Sequence, residues 1–237
     1  MKINILTLFP EMFDTINYSI ISRAIKNNQI SLNAINIRDF SKDKHKRVDD
    51  TPYGGGSGML MRSDVVYDSY LSIKNPGRVI YMSPRGKVLT QKKAIELSKE
   101  ENLTILCGHY EGIDQRVIDE IVDEEISIGD YVLTGGELPA MVLIDTVVRY
   151  VDGVLNNESL VQESHTNGLL EYSQYTRPEV FLNRSVPEVL LSGHHKNIEN
   201  WRRQDSIRIT YKNRPELIKK INLSDEDKKI IEELKGK

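Results

Sequence analysis

The sequence predicts an α/β domain with a mostly parallel sheet, followed by a smaller helical region. Through residues 1–150, short apolar runs typical of strands alternate with amphipathic helical patterns. After Gln174 the helical patterns are short and interrupted by prolines, with no convincing strand. A chain of 237 residues is long enough for one large domain and a small one.

Each element of the first region has its own pattern. Runs of β-branched and apolar residues predict strands at 3–8, 32–37, 78–82, 103–107 and 125–128. Helical patterns cover 11–26, 64–73, 90–99, 114–122 and 138–151. In the first helix Met12, Ile16, Ile20 and Ala24 share one face, and Thr90 is a suitable N-cap for the third.

The composition changes at about Val154, which predicts three parts. A cofactor-binding domain spans 1–155, a flexible linker spans 156–172, and a helical RNA-binding domain spans 173–237. The chain carries a net charge of −3, yet residues 177–220 hold ten basic and five acidic side chains. A basic segment on an acidic body is typical of a region that handles phosphates. A solvated, charged helical surface is the alternative interpretation.

Composition also bears on the class of protein. No apolar run approaches the length of a membrane helix, and the N-terminus lacks the pattern of a signal peptide, so a cytoplasmic protein is expected. Cys107 is the single cysteine, which excludes an intrachain disulfide. Because Cys107 lies in an apolar run, we expect it to be buried and not to act as a nucleophile.

Three predicted strands are followed by loops rich in glycine and turn-forming residues. These loops span 83–86, 108–112 and 129–139. Loops at the carboxyl ends of parallel strands form ligand sites, and glycine lets the backbone approach a ligand closely. A single loop of this kind is more often a tight turn, but three on one sheet favour a shared pocket.

The sequence excludes the common nucleotide motifs. Neither Gly-x-Gly-x-x-Gly after the first strand nor Gly-x-x-x-x-Gly-Lys-[Ser/Thr] is present. Few cationic residues lie in the three loops, which favours a ligand without phosphates. S-adenosylmethionine, with an adenosine, a sulfonium and an amino acid, fits that description.

The same loops resemble the tRNA (guanine-N1) methyltransferases. The strongest matches are GHYEGIDQR at 108–116 and ISIGDYVLTGGELP at 126–139. Further matches are LFPEMF at 8–13, DDTPYGGGSGM at 49–59, YTRP at 175–178 and SGHH at 192–195. Together they extend over most of the chain in family order, which makes the resemblance specific.

This resemblance implies a SPOUT-type fold, in which the end of the α/β domain is tied into a deep trefoil knot. It also implies a homodimer that uses S-adenosylmethionine, and Mg²⁺ as well. The substrate would be the anticodon stem-loop of tRNA, methylated at N1 of the guanine immediately 3′ of the anticodon.

By the same resemblance, the three loops would line the cofactor pocket. The expected cofactor-binding residues are Tyr81, Ser83, Pro84, Gly86, Gly108, Tyr110, Glu111, Gly112, Ser127, Ile128, Gly129, Asp130, Tyr131, Val132, Leu133, Gly135, Gly136 and Pro139.

The predicted catalytic residues are Arg149 and Glu163. Guanine N1 carries a proton, so transfer needs a base to remove it and a cation to stabilise the charge on O6. Arg149 matches the arginine of the family. Glu163 occupies the position where the family has an aspartate, and its side chain is one methylene longer, a departure that alters the geometry of the base.

Residues expected to contact the RNA come from both regions. They are Asp50, Tyr53, Gly54, Gly55, Arg177, His194, His195, Arg202 and Arg203. No further Cys or His lies at ligand spacing from the histidine pair, so no protein metal site is expected.

Two alternative functions remain open from the sequence. One is a related knotted methyltransferase that acts on another RNA position, such as a ribose 2′-hydroxyl. The other is an RNA-binding module that has lost catalysis.

Overall fold

The structure is a computed structural model that describes residues 1–156 and 163–235. The chain divides into two compact units, Met1–Leu155 and Asn156–Lys237. The roles expected for the two regions, in cofactor and RNA binding, stay predictions.

The first unit is built on a five-stranded parallel sheet. Its strands, together with a short antiparallel pair (β3 and β4), are β1 (Lys2–Thr7), β2 (Ser31–Asn36), β3 (Asp49–Asp50), β4 (Leu60–Met61), β5 (Arg78–Val88), β6 (Asn102–Cys107) and β7 (Glu124–Ser127). The sheet order is β2-β1-β6-β5-β7, and every neighbouring pair in it is parallel. The predicted α/β class with a mostly parallel sheet is therefore confirmed.

Helices cover both faces of this sheet. They are α1 (Ser19–Lys26), α2 (Ser63–Leu71), α3 (Gln91–Leu97), α4 (Gln115–Ile121) and α5 (Glu137–Val148), with 3₁₀ segments at Pro10–Ile16 and Ile37–Phe40. The Thr90 hydroxyl accepts a hydrogen bond from the Lys93 backbone N–H at 3.3 Å, which confirms the predicted N-cap.

Alternation along the strands divides the core into two layers. Ile5 pairs in register with Ile105, and both pack in the layer that contains α1, α3 and α5. Leu6 and Leu106, one residue further along, pack in the layer with α2 and α4. Because successive strand side chains point to opposite faces, apolar residues at both positions require helices on both sides.

Two elements differ from the sequence prediction. The helix predicted over 11–26 is interrupted at Asn17 and Tyr18, so that Phe13, Ile21 and Ala24 supply its buried residues. The strand predicted to end at Met82 continues to Val88, with an irregularity in its pairing to β7 after Met82. The local pattern misses the continuation of β5 because pairing with β7, at Lys87 and Val88, holds this part of the chain extended.

The second unit contains helices and a short hairpin. Its elements are β8 (Val180–Phe181), β9 (Arg184–Ser185), α6 (Glu188–Leu191), α7 (His195–Asn213), α8 (Pro215–Ile218) and α9 (Asp225–Lys235). The all-helical prediction is therefore wrong at the antiparallel pair β8–β9. Two-residue strands are too short to leave an alternating pattern in the sequence.

The expected flexible linker, 156–172, lies partly outside the described residues, which resume at Glu163. Near its end, Leu169 and Leu170 pack against α7. Leu169 is buried with Ile207 of α7, and the Leu170 N–H donates to Thr210 Oγ1 at 2.9 Å. One apolar residue and one backbone hydrogen bond are too few to form a periodic pattern, so the sequence gives no sign of this packing. The flexibility of the linker stays a prediction.

In the described part of the chain, no helix combines the length and the apolar character needed to cross a membrane.

Leu143→Ala should lower the free energy of unfolding of the protein by about 2–5 kcal/mol. Leu143 is fully buried where α5 packs on the sheet, so the shorter side chain would leave a cavity. Urea denaturation followed by circular dichroism measures the change. Leu71→Ala is the matched control, since Leu71 is 59% exposed and its truncation should shift the midpoint little. Equal effects of the two substitutions would contradict this packing.

Candidate functional site

A pocket lies at the carboxyl ends of β6 and β7 and beside the middle of β5. It is formed by the loops that follow β6 and β7 and by residues 81–84 within β5, and it opens to solvent. The cavity itself is about 200 Å³, below the roughly 300–1,000 Å³ typical of small-molecule pockets in proteins. It therefore encloses part of a ligand of nucleoside size and leaves the rest open to solvent.

The structure brings together fifteen of the eighteen predicted cofactor residues around this pocket. They are Tyr81, Ser83, Pro84, Gly108, Tyr110, Glu111, Gly112, Ser127, Ile128, Tyr131, Val132, Leu133, Gly135, Gly136 and Pro139. Their contact with a cofactor stays a prediction.

Three predicted residues do not line the pocket. The free side of Gly86 faces the backbone of Glu125 on β7. Gly129 and Asp130 form the turn after β7, in which the Gly129 N–H and carbonyl both bond to the Ser127 hydroxyl, at 3.1 and 2.9 Å. Gly86 and Gly129 therefore allow close backbone packing and a tight turn, and neither lines the pocket.

Four pocket residues were missed by sequence reasoning. Met82 lies within β5 and Ile126 within β7, and His109 and Thr134 lie inside the glycine-rich loops. The sequence could have indicated His109 and Thr134, because each lies between residues that were predicted to bind the cofactor. For Met82 and Ile126 no signal existed, since apolar strand residues are ordinarily core.

The pocket depends on glycines that let backbone segments touch. A Cβ on Gly136 would lie 2.7 Å from Cys107 Cα and 2.8 Å from the Gly108 nitrogen. The Gly136 N–H instead donates to the Gly108 carbonyl at 2.8 Å. This bond joins the loop before α5 to the end of β6 and closes one side of the pocket.

Polar groups in the pocket are mostly backbone groups and hydroxyls. No Lys or Arg is among its lining residues, all of which lie in the described part of the chain. Burial, and secondarily the charge of Glu125, raise the pKa of the Tyr81 hydroxyl, which therefore stays protonated and available as a donor. This chemistry suits a ligand with an adenine edge and hydroxyls, and it offers no site for a phosphate.

The predicted RNA-binding residues of the first unit lie at the end of β3 and in the loop between β3 and β4. Asp50 and Tyr53 are exposed, and Tyr53 is 99% accessible. Gly54 and Gly55 follow in the same loop, with positive φ angles of 86° and 81°. The loop continues to Met59, whose carbonyl accepts from the Glu111 N–H at 3.0 Å, so its far end touches the pocket loop.

In the second unit, Arg177, His194 and His195 are exposed. The Arg202 guanidinium stacks over the Tyr172 ring at 4.8 Å. Arg203 binds Asp227 at 2.9 Å, and although burial alone would raise the pKa of Asp227, hydrogen bonds from Arg203 and Ser224 lower it overall. Arg203 therefore already has a structural role in joining α7 to α9.

The two predicted catalytic residues lie in different units. Arg149 is the C-cap residue of α5 in the first unit. Glu163 belongs to the second unit and is the residue at which the described part of the chain resumes. Both already make interactions within the protein. Their catalytic roles stay predictions.

The fold and the site define an α/β protein with a small-molecule pocket at the carboxyl edge of a parallel sheet. Comparison with known proteins identifies a family within this class. The tRNA (Guanine-1)-methyltransferase TrmD family profile matches residues 1–220.

Named relatives agree with this match. A tRNA (guanine-N(1)-)-methyltransferase of Ruminiclostridium cellulolyticum is 62% identical over 93% of this chain and 97% of its own length. The enzymes of the same name from Caldanaerobacter subterraneus and Clostridium botulinum are 56% and 55% identical, covering 98% and 100% of both chains. This chain therefore belongs to the tRNA (guanine-1)-methyltransferase family, as the sequence resemblance predicts.

Cys107 should resist alkylation by iodoacetamide in the native protein at pH 8. It is fully buried, and burial, together with the nearby charge of Glu137, raises the pKa of its thiol well above the usual value. The reactive thiolate is thus both inaccessible and disfavoured. Mass spectrometry should find modification only after denaturation, and rapid labelling of the folded protein would contradict this environment.

Proposed function

We propose that this protein transfers a methyl group from S-adenosylmethionine to N1 of the guanine immediately 3′ of the anticodon in tRNA. The observation that carries the proposal is the pocket of three glycine-rich loops in a chain of this family. The relatives' names specify a tRNA guanine and its N1 atom.

The pocket residues suit S-adenosylmethionine in three ways. Gly108 and Gly136 bring backbone against backbone, which leaves carbonyl and N–H groups of the loops to meet an adenine edge. Ile128 and Leu133 supply apolar walls. Because no Lys or Arg is among the lining residues, the pocket suits a ligand that carries no phosphates. When bound, this cofactor supplies a methyl group already activated by its sulfonium.

The chain itself must prepare the guanine. In this proposal Glu163 accepts the N1 proton, which makes the N1 lone pair available, and Arg149 stabilises the negative charge that develops on O6. The base must leave its stack in the anticodon loop to reach the pocket. The exposed Tyr53, on the loop whose far end contacts the pocket residue Glu111, offers an aromatic surface to receive it. The basic residues of the second unit would hold the RNA backbone.

We also propose the deep trefoil knot of the SPOUT class. The chain leaves β7 at the edge of the sheet, yet by Gly136 it is bonded to Gly108 at the end of β6. Because β5 lies between β6 and β7 in the sheet, the chain must cross β5 on this path. Just after β5, the Leu89 N–H donates to the Ser127 carbonyl at 2.8 Å. These crossings support a threaded path. A crystal structure in which residues 128–136 pass outside the 83–90 connection would contradict it.

A homodimer is part of the same proposal. Tyr18, Leu138 and Val142 are 74%, 51% and 44% exposed, so large apolar side chains on α5 and just before α1 remain open to solvent. A second copy of the chain would cover them. A monomeric mass in light scattering at micromolar concentration would contradict this proposal.

We place the enzyme in the cytoplasm, where tRNA is its substrate. The resemblance also implies Mg²⁺. In residues 1–156 and 163–235 no group of three or more His, Cys, Asp or Glu side chains is placed to hold a metal ion. No step of the proposed mechanism uses a metal.

Methyl transfer to two tRNA transcripts tests the proposal directly. The transcripts differ only in having guanine or adenine immediately 3′ of the anticodon, and the methyl group of S-adenosylmethionine is labelled. Label should enter the guanine transcript alone and be recovered as 1-methylguanosine, because adenine lacks the N1 proton and O6 that the site handles. Label on a ribose, or equal labelling of both transcripts, would favour the related methyltransferase that acts on another position.

Glu163→Gln should reduce kcat by about 100-fold or more while leaving cofactor affinity unchanged, since the amide cannot accept the N1 proton. Arg149→Lys should also reduce kcat, because it keeps the charge but loses the planar guanidinium. Single-turnover methylation and calorimetry with S-adenosylmethionine separate the two quantities. Lys99→Gln, a surface change distant in sequence from either residue, is the control. Full activity of Glu163→Gln would remove the carboxylate from the mechanism.

A further inference from the structure

A groove in the second unit shares no residue with the pocket of the first unit. It is lined by the segment 172–179, by Val186 after the hairpin, and by side chains of α6 and α7. The Ser173 N–H donates to the Asp205 carboxylate of α7 at 2.7 Å, which holds this segment against the helix. The groove opens to solvent, and its volume of about 830 Å³ is large enough for one nucleotide.

The guanidinium of Arg202 is held in this groove but lacks a hydrogen-bond partner. It lies over the Tyr172 ring, 4.8 Å from the ring centroid. Its Nε is buried from solvent and unpaired, and within residues 1–156 and 163–235 no carboxylate forms an ion pair with this guanidinium. A buried N–H without an acceptor is costly unless a ligand or a water molecule meets it. The groove therefore presents a fixed donor that calls for an acceptor.

The other walls of the groove favour a flat ligand over a phosphate. Glu179 lines the groove, and its negative charge disfavours an anion there. The Tyr175 ring, 48% exposed, is held by an edge contact with Trp201 at 6.1 Å, and a base can stack on such a ring. Burying a phosphate against apolar walls costs hydration energy, whereas the face of a base suits them. The apolar wall residues are Val186, Leu190, Leu191 and Ile198.

We propose that this groove binds one unstacked base of the RNA, with an acceptor on the base edge facing Arg202. The inference rests on the proposed function, which makes tRNA the substrate, and it adds a second base site besides the one for the guanine that is methylated. The excess of basic residues in 177–220 attracts the RNA chain toward this unit. Since the bases of a duplex stay stacked and paired, the bound base comes from a single-stranded loop.

Fluorescence anisotropy with a labelled anticodon stem-loop RNA tests the groove. Arg202→Met removes the guanidinium but keeps an unbranched apolar side chain over Tyr172. Dissociation constants are measured at several salt concentrations. Arg208→Met is the matched control, because it removes the same charge from an exposed position further along α7 that does not line the groove.

Arg202→Met should bind the stem-loop about tenfold more weakly, the loss expected for one hydrogen bond from a charged group to a base. The slope of log Kd against log salt should stay as in the wild type, because no phosphate contact is lost. Arg208→Met should weaken binding by no more than about threefold. A slope reduced by about one for Arg202→Met would show that its guanidinium binds a phosphate, and the base site would be overturned.

Stem-loops that lack a single base identify the occupant. One abasic nucleotide is placed in turn at each loop position other than the methylated guanine, and each RNA is bound to the wild type and to Arg202→Met. At one position the two losses should not add, because the base that Arg202 meets is already absent. Additive losses at every position would contradict the proposal.

Leu191→Ala examines the apolar wall independently of Arg202. Leu191 is 54% exposed, so its truncation should leave the fold intact and weaken RNA binding about threefold through lost apolar contact. Leu182→Ala, at the hairpin turn and outside the groove, should bind like the wild type. Circular dichroism and the affinity for S-adenosylmethionine should be unchanged in all variants.

The remaining outcomes separate the groove from the proposed function. Wild-type RNA affinity of both Arg202→Met and Leu191→Ala would overturn the base site. A lower mass of these variants in light scattering would assign the groove to a contact between protein chains instead. If the wild type does not bind the stem-loop, the proposed function and the groove assignment both fail. A position with non-additive losses, without any methyl transfer, would retain the base site and remove only the proposed reaction.

Discussion

Backbone-to-backbone contact at the carboxyl edge of the sheet is the constraint on which the rest of the pocket depends. Gly136 lies so close to Cys107 and Gly108 that any side chain would collide with main-chain atoms. Main chain cannot move aside as a flexible side chain can, because it is fixed by the pairing of β6. The start of α5 and the wall of the pocket are thereby set by one close approach.

That contact also explains the polarity of the site. Where loops press against one another through glycine, few long side chains can enter, and the ligand meets backbone groups, hydroxyls and short apolar walls. Positive charge is instead concentrated in residues 177–220. The pocket lining without Lys or Arg suits a ligand without phosphates, and the local positive charge of residues 177–220 suits a polyanion.

The site was predictable from the sequence to the extent that glycine placement revealed it. Loops that follow predicted strands and contain Gly108, Gly112, Gly135 and Gly136 identify the pocket edge, because the carboxyl ends of parallel strands meet there. His109 lies between residues that were selected, so the sequence could have indicated it, but the burial of its Nδ1 depends on what surrounds the ring. Gly86, Gly129 and Asp130 do not line this pocket, because neighbours in sequence need not face the same way, and their contact with a cofactor stays a prediction.

The sequence alone determined the α/β class, most strand and helix positions, the N-cap at Thr90 and the family, since these depend on local periodicity and on motifs that are contiguous in the chain. Tertiary structure alone decided the extension of β5 to Val88, the break at Asn17 and Tyr18, the burial of Leu169 and the position of Arg202 over the Tyr172 ring. Each of these depends on partners far away in the sequence. Pairing across strands and side-chain direction in space leave no periodic trace in a single chain.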